Sequence, residues 1–310
     1  MTQPIQRIAI IGFGEVGGIF GNDFAKQGIR VSVFDILLHS RKHQQPMLRK
    51  ALTCGVTAAN SLKDCLSHAE LVISAVTPTS ALDVVKQAAP ILGPGQIFLD
   101  INSVSPETKR KAASHIESGK ARKGKPHFVE AAVMAAVPGQ RLKVPMLLGG
   151  AYAVEASAQL QSVGMNATAL SDQIGIASAV KMCRSVMVKG LEALAVECLF
   201  AARQYGAEDS VLQSLAATYP SLGWNDHLPD YLISRVASHG LRRAAEMREV
   251  AQALRSVGMK PTMAMAIAER QERLIREMHD RDLEPNTPFS WRSLADAILR
   301  ERARRSKKTT

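Results

Sequence analysis

Lys181 and Arg184 stand one helical turn apart in "GIASAVKMCRSVMVKGLEALAVECLFAA", residues 175–202, whose small and apolar residues predict one long helix. A lysine there can take or give a proton if its pKa falls from about 10.4; burial and a neighbouring cation both lower it. An arginine one turn on supplies that cation and can grip a carboxylate with paired N–H donors. At roughly 3.6 residues per turn, residues 181, 184, 185 and 188 share one face, so Ser185 joins the pair. The same spacing also sets Lys181, Ser185, Lys189 and Glu192 on a stripe that suits a water-facing helix surface. Periodicity leaves both readings open.

A second constellation lies near the start. "QRIAII", residues 6–11, is a short apolar run that predicts a buried strand, and it feeds directly into "GFGEVG". Gly12, Gly14 and Gly17 then form a G-x-G-x-x-G turn between strand and helix, with Phe13, Glu15 and Val16 between them. Gly12 makes the tight turn, Gly14 lets the backbone approach a pyrophosphate, and Gly17 lets the helix pack closely on the strand. The anion would rest on free N–H groups at the helix start. A helix from Val16 to Gln27 and a strand "IRVSVFD" follow, ending at Asp35. A carboxylate at that spacing accepts the ribose hydroxyls and repels a 2′-phosphate, which favours NAD over NADP. Asp35 also suits a turn cap, and Arg41 and Lys42 nearby keep NADP open.

Positioning these residues takes a particular scaffold. Further apolar runs recur at 71–76, 96–100, 127–133, 145–148 and 166–170, with helical patterns between several of them. That alternation predicts an α/β doubly wound sheet of the Rossmann type over 1–170. From 171 to 310 strand signals vanish, and helical patterns at 173–204, 207–218, 228–257, 261–279 and 290–304 predict an all-α C-terminal domain. Pro220, Gly223, Pro229, Gly258 and Pro261 punctuate it.

Composition bounds the rest. The 310 residues are 46% apolar and 22% charged, and no stretch is apolar enough for a membrane span. "MTQPIQRIAIIGFG" runs straight into a strand without a cationic leader, and four cysteines show neither CxxC nor metal spacing, so a cytoplasmic protein without a metal site is expected. The formal charge of +11 is spread along the chain except for the terminal "RERARRSKKTT". It fits an anionic small molecule better than nucleic acid, so neither nucleic acid nor membrane is an expected partner.

Taken together, the glycine loop, "DINSVSP" at 100–106, "KMCRS" and "HGLRRAAEM" resemble the β-hydroxyacid dehydrogenase superfamily of 6-phosphogluconate and 3-hydroxyisobutyrate dehydrogenases. The second half resembles the subgroup with an uncharacterised 6-phosphogluconate-dehydrogenase-like C-terminal domain. In that family a D-x-S-T-x-x-P loop contacts substrate. Here Asp100 and Pro106 are kept, and Asn102 and Ser103 fill the serine and threonine positions, with Asn102 near the cofactor as well. "AVTPTS" resembles the loop on the nicotinamide side, which implicates Val76, Thr77 and Pro78. The family's D-A-P-V-S-G-G appears as "EAAVMAA", which puts Met134 on the substrate wall and makes that wall more apolar.

The resemblance assigns Lys181 as the catalytic lysine, with Gly175 six residues before it and Ala177 replacing a second glycine. Arg184 and Ser185 fall at the family's amide or imidazole positions. Ala245, Glu246 and Met247 take the place of a lysine-aspartate-leucine segment, so the family's lysine is missing; His239 or Arg243 are candidates to compensate for it, and an ordinary helix surface explains both equally well. The implied function is an NAD(P)-dependent oxidoreductase that oxidises a small 3-hydroxy acid, or reduces the matching carbonyl, with lysine acid/base catalysis. An imine reductase and a non-catalytic nucleotide-binding protein are the alternatives, and the retained lysine argues against both. A homodimer or homotetramer is implied, whereas Trp224 reads best as a packed loop anchor.

Overall fold

The computed structural model describes residues 5–118, 124–285 and 287–306, with side chains to residue 299. They fall into two compact units that divide between Met182 and Cys183. The first runs β1 (Arg7–Ile11), α1 (Glu15–Lys26), β2 (Arg30–Phe34), α2 (Gln44–Cys54), β3 (Thr57–Ala58), α3 (Leu62–Leu66), β4 (Leu71–Ser74) and α4 (Ala81–Ala88). It continues through β5 (Ile97–Asp100), α5 (Pro106–Glu117), β6 (His127–Val133), α6 (Val137–Gln140), β7 (Met146–Gly149), α7 (Ala153–Ser162) and β8 (Ala167–Ser171) to the first turns of α8 (Ile176–Tyr205).

The strands form one sheet in the order β3-β2-β1-β4-β5-β6-β7-β8. Every pairing is parallel except β6 with β7. β4 and β5 are buried along their whole length, as three apolar residues in a row in each require once helices cover both faces. Alternation along β1 divides the core. Ile8 and Ile10 pack with Phe20 and Phe24 of α1, while Ala9 and Ile11 pack with Val72 and Phe98 on the other side. Strand order reverses between β1 and β4, so the crevice at their carboxyl ends is where a doubly wound sheet receives ligands. The loops after β1, β4 and β5 all open on that edge. The expected strands all form; the antiparallel β6–β7 step and the short elements of 36–66 lie beyond what periodicity shows.

The second unit contains the rest of α8 with α9 (Glu208–Thr218), α10 (Leu228–Ser256), α11 (Thr262–His279) and α12 (Trp291–Ser306), and no strand among its described residues. Its core gathers Val196, Leu199, Ile233, Leu274 and Trp291, and Trp224 is buried there as an anchor. α10 and α11 approach closely where a Cβ on Gly240 would lie 3.0 Å from the Gln271 carbonyl oxygen. No helix among the described residues is long and apolar enough to cross a membrane. The side chains of the terminal basic run lie outside the described residues.

Candidate active site

The glycine loop behaves as its three glycines demand. Gly12 has φ +91°, and a Cβ there would sit 2.4 Å from the Ala75 carbonyl oxygen; on Gly17 it would sit 2.1 Å from that of Gly12. Gly14 faces open space, and no side chain caps the start of α1. The result is an accessible backbone cradle at a helix N-terminus, which fits a dinucleotide pyrophosphate.

Asp35 lies just past the end of β2. Its Oδ2 accepts from the Phe13 N–H at 2.8 Å and its Oδ1 from the Leu37 N–H at 2.9 Å. The carboxylate therefore caps the turn and pins the glycine loop, and its remaining lone pairs are left for a ribose. The cap and ribose readings of Asp35 are compatible. Lys50 of α2 escapes motif reading altogether. Its ammonium donates to the Phe13 and Gly14 carbonyls, both at 2.7 Å, and lies 4.6 Å from the Phe13 ring centre. Arg41 and Lys42 are exposed.

Asn102 is a bracket. It is buried, its Oδ1 accepts from the Val76 N–H at 2.7 Å, and its amide donates to Ser74 Oγ at 2.9 Å and Asp100 Oδ1 at 2.7 Å. Both donors are thus committed to protein, so this side chain locks the 75–78 loop to the 100–103 loop instead of reaching substrate directly. Asp100 in turn pairs with Lys109 at 3.1 Å, each 1% exposed, and Lys109 also donates to the Asp100 carbonyl at 2.7 Å. Thr77 is exposed at this edge and Pro78 half-buried. The turn reading of "SPETKR" holds alongside: Ser105 caps α5, and Pro106 is its first residue.

Ser103, next to Asn102, is half-buried and accepts from Lys181 Nζ at 2.6 Å. Lys181 reaches it from the first turns of α8, whose start is held by Glu130 of β6. The Glu130 carboxylate is fully buried and accepts from the Gly175 N–H at 2.7 Å, the Ala177 N–H at 3.0 Å and the Ser178 hydroxyl at 2.8 Å. Met134 is half-buried just past the end of β6. The first unit thus brings Gly12–Gly17, Asp35, Val76–Pro78, Asn102, Ser103 and Lys181 to one edge of the sheet.

Arg184, Ser185 and His239 belong to the second unit, and the water-facing stripe is corrected there. Ser185, Lys189 and Glu192 are 8%, 6% and 1% exposed. Lys189 Nζ donates to Ser185 Oγ at 3.1 Å and pairs with Glu246 at 2.9 Å. The Arg243 guanidinium grips Glu192 with two donors, Nε at 2.7 Å and Nη2, and Gln271 donates to the same carboxylate at 3.3 Å. Burial pushes the Lys189 ammonium down in pKa against the pull of Glu246, and pushes Glu192 up against Arg243. Arg243 is therefore spent inside the helices and does not replace the family's missing lysine, and Ser185 is engaged by Lys189. Arg184 is exposed and His239 half-buried.

Among the described residues no three metal-ligating side chains cluster. Burial raises the Cys65 thiol to about 12.

A family model, the NAD binding domain of 6-phosphogluconate dehydrogenase, matches residues 7–169. The chain belongs to that family. A second model, a domain of unknown function (DUF1932), matches residues 202–274. A conserved hypothetical protein from Sinorhizobium meliloti 1021 has a solved structure that is 34% identical, with TM-score 0.77 over 95% of this chain and 96% of that one. A further solved structure is 33% identical, with TM-score 0.68 over 86% of this chain and 97% of its own. It is a conserved protein of unknown function described as similar to 3-hydroxyacid dehydrogenases. The 3-hydroxyisobutyrate dehydrogenase of Pseudomonas aeruginosa is 26% identical over 78% of this chain and 80% of its own. The protein is thus an NAD(P)-binding, 3-hydroxyacid-dehydrogenase-like member of its family.

Proposed function

We propose that the protein oxidises a small 3-hydroxy acid, or reduces the matching carbonyl compound, with Lys181 as acid/base. The observation that carries this reading is the contact of Lys181 Nζ with Ser103 Oγ at 2.6 Å, on the sheet edge that also holds the open glycine cradle. A nicotinamide, when bound, would accept the hydride in oxidation and supply it in reduction. Lys181 takes the hydroxyl proton in oxidation and returns it in reduction. Ser103 accepts from Lys181, which leaves its own O–H to donate to substrate. Asn102 holds the two loops in register, Met134 offers an apolar wall, and Arg184 is the clamp for a substrate carboxylate.

On the cofactor side Gly12–Gly17 cradle the pyrophosphate, Val76, Thr77 and Pro78 line the nicotinamide side, and Asp35 favours NAD over NADP. A homodimer or homotetramer accords with α8, which leaves Met187, Leu191 and Leu194 exposed at helical spacing.

The test follows nicotinamide absorbance with a panel of 3-hydroxy acids, 3-hydroxy amino acids and sugar acids, each with NAD and with NADP. Turnover of a carboxylate-bearing alcohol with NAD is the expected result. Lys181→Met should then cut kcat by about 10²–10⁴-fold while NADH still binds. Undiminished turnover in that variant overturns the assignment.

A further inference from the structure

β5 and β6 run parallel with Asp100 opposite Glu130. Each residue is the one acid in its strand, each is at most 1% exposed, and each accepts donors from a segment beyond its own strand. Asp100, through Asn102 and Lys109, fixes the loop that carries Ser103. Glu130 fixes the helix that carries Lys181. We infer that Glu130 is a positioning residue for the proposed reaction, anchoring the first turn of α8 so that Lys181 Nζ stands on Ser103. This inference rests on the catalytic reading of Lys181 given above.

A buried carboxylate is expensive unless donors surround it. The donors here are two backbone N–H groups and one hydroxyl, all from residues 175–178 at the start of α8. The first N–H groups of a helix have no partner within it, and a carboxylate at that end is also favoured by the helix dipole. Ala177 and Ser178 lie four and three residues before Lys181, hence on the same helix face. A shift of that first turn therefore moves the lysine with it.

Two glycines make the arrangement possible. Gly149, paired with Glu130 across β6 and β7, would carry a Cβ 2.5 Å from Glu130 Oε1. Gly175 has φ +105°, and a Cβ there would meet Arg110 Nη1 at 2.5 Å. The sharp turn at Gly175 presents its N–H to the carboxylate, and no other residue type adopts that backbone easily.

The experiment uses the full chain with Glu130→Ala, Glu130→Gln and Ser178→Ala. Glu130→Gln keeps the shape and one acceptor, so it remains folded if the alanine variant does not. Amide exchange at Gly175 and Ala177 should rise by about tenfold in Glu130→Ala and less in Glu130→Gln. Labelling of Lys181 by acetic anhydride, measured against exposed Lys63 in the same sample, should rise several-fold, while NADH affinity stays within twofold. With whichever 3-hydroxy acid turns over, kcat should fall by about a hundredfold in Glu130→Ala at nearly constant KM. A general loss of structure would instead raise exchange everywhere and weaken NADH binding in parallel. Wild-type exchange and labelling in both Glu130 variants overturn the inference and leave the catalytic reading intact. Full turnover in Lys181→Met overturns the catalytic reading and leaves the anchoring prediction standing.

Discussion

The two units bury charge in different ways. In the nucleotide unit each of the buried polar side chains at the site reaches a backbone group beside its side-chain partners: Glu130 the start of α8, Lys109 the Asp100 carbonyl, Asn102 the Val76 N–H. In the helical unit they speak to other side chains: Arg243 to Glu192, Lys189 to Glu246 and Ser185, Gln271 to Glu192. The first kind of bond sets where a loop or helix end lies. The second sets which helix faces meet, because it joins α8 to α10 and α11 at single positions. A side-chain pair can be replaced as a pair, since removing both partners leaves no orphan. A backbone group cannot be mutated away, so the side chain that serves it has no such substitute.

Breaking the side-chain pair gives the largest effect. Arg243→Met leaves Glu192 as a buried charge without its main partner, which should cost about 3–5 kcal/mol of stability. Chemical denaturation would show it as a lower midpoint at an unchanged slope. The double replacement Glu192→Leu with Arg243→Met should recover most of that loss. The pH dependence sharpens the point. Burial raises Glu192 above its usual 4.5, so the native state holds more protons than the unfolded one as pH rises from 4.5 through the folded value, and stability falls across that window. Lys189 is lowered from 10.5, so the unfolded state holds more protons from its folded value up to 10.5, and stability rises there. The double variant should lose the acid-side slope and keep the alkaline one. Retention of both slopes would mean that Glu192 is not the titrating group.

Breaking a backbone-directed bond should cost less stability and more function. Asn102→Leu orphans the Val76 N–H and the Ser74 hydroxyl, for about 1–3 kcal/mol. No second substitution supplies an acceptor for that N–H, so Ser74→Ala added to it should recover little. Because the 75–78 loop loses its tie, KM for the dinucleotide should rise together with the loss of kcat. A full rescue by Ser74→Ala would erase the contrast between the units.

How much of this the sequence showed follows from the same distinction. Strands of uniform apolarity, the three glycines and the long helices have periods that register in residue types, and their positions agree with the structure to within a few residues. The candidate site was legible where side chains sit on loops after those strands, as with Asp35, Asn102 and Ser103. Burial of a charge leaves no such trace. Lys189 and Glu192 have the spacing of a solvated stripe, and only their partners on α10 and α11 reveal them as internal. By sequence Glu130 is one end of a substrate-wall motif, although its carboxylate turns to a helix 45 residues away in sequence. Lys50 stood on α2, where no pattern marked a helix.

Lys50 carries the smallest expected effect and tests whether the contrast extends to the glycine loop itself. Its ammonium holds the Phe13 and Gly14 carbonyls, and Asp35 holds the Phe13 N–H, so cation and carboxylate grip the same peptide segment by its two kinds of backbone group. Gly18 of α1 leaves the space through which the lysine passes, since a Cβ there would lie 2.7 Å from its Cε. Lys50→Met keeps the stem against the Phe13 ring and removes only the donors and the charge. Other backbone contacts still define the turn, so stability should change by less than about 1 kcal/mol. The loop should nevertheless present its N–H groups less well, and NADH affinity measured by fluorescence should weaken by about threefold to tenfold. If affinity holds in Lys50→Met and falls only in Asp35→Ala, the loop is set by the carboxylate alone, and the lysine contacts are incidental to the cradle.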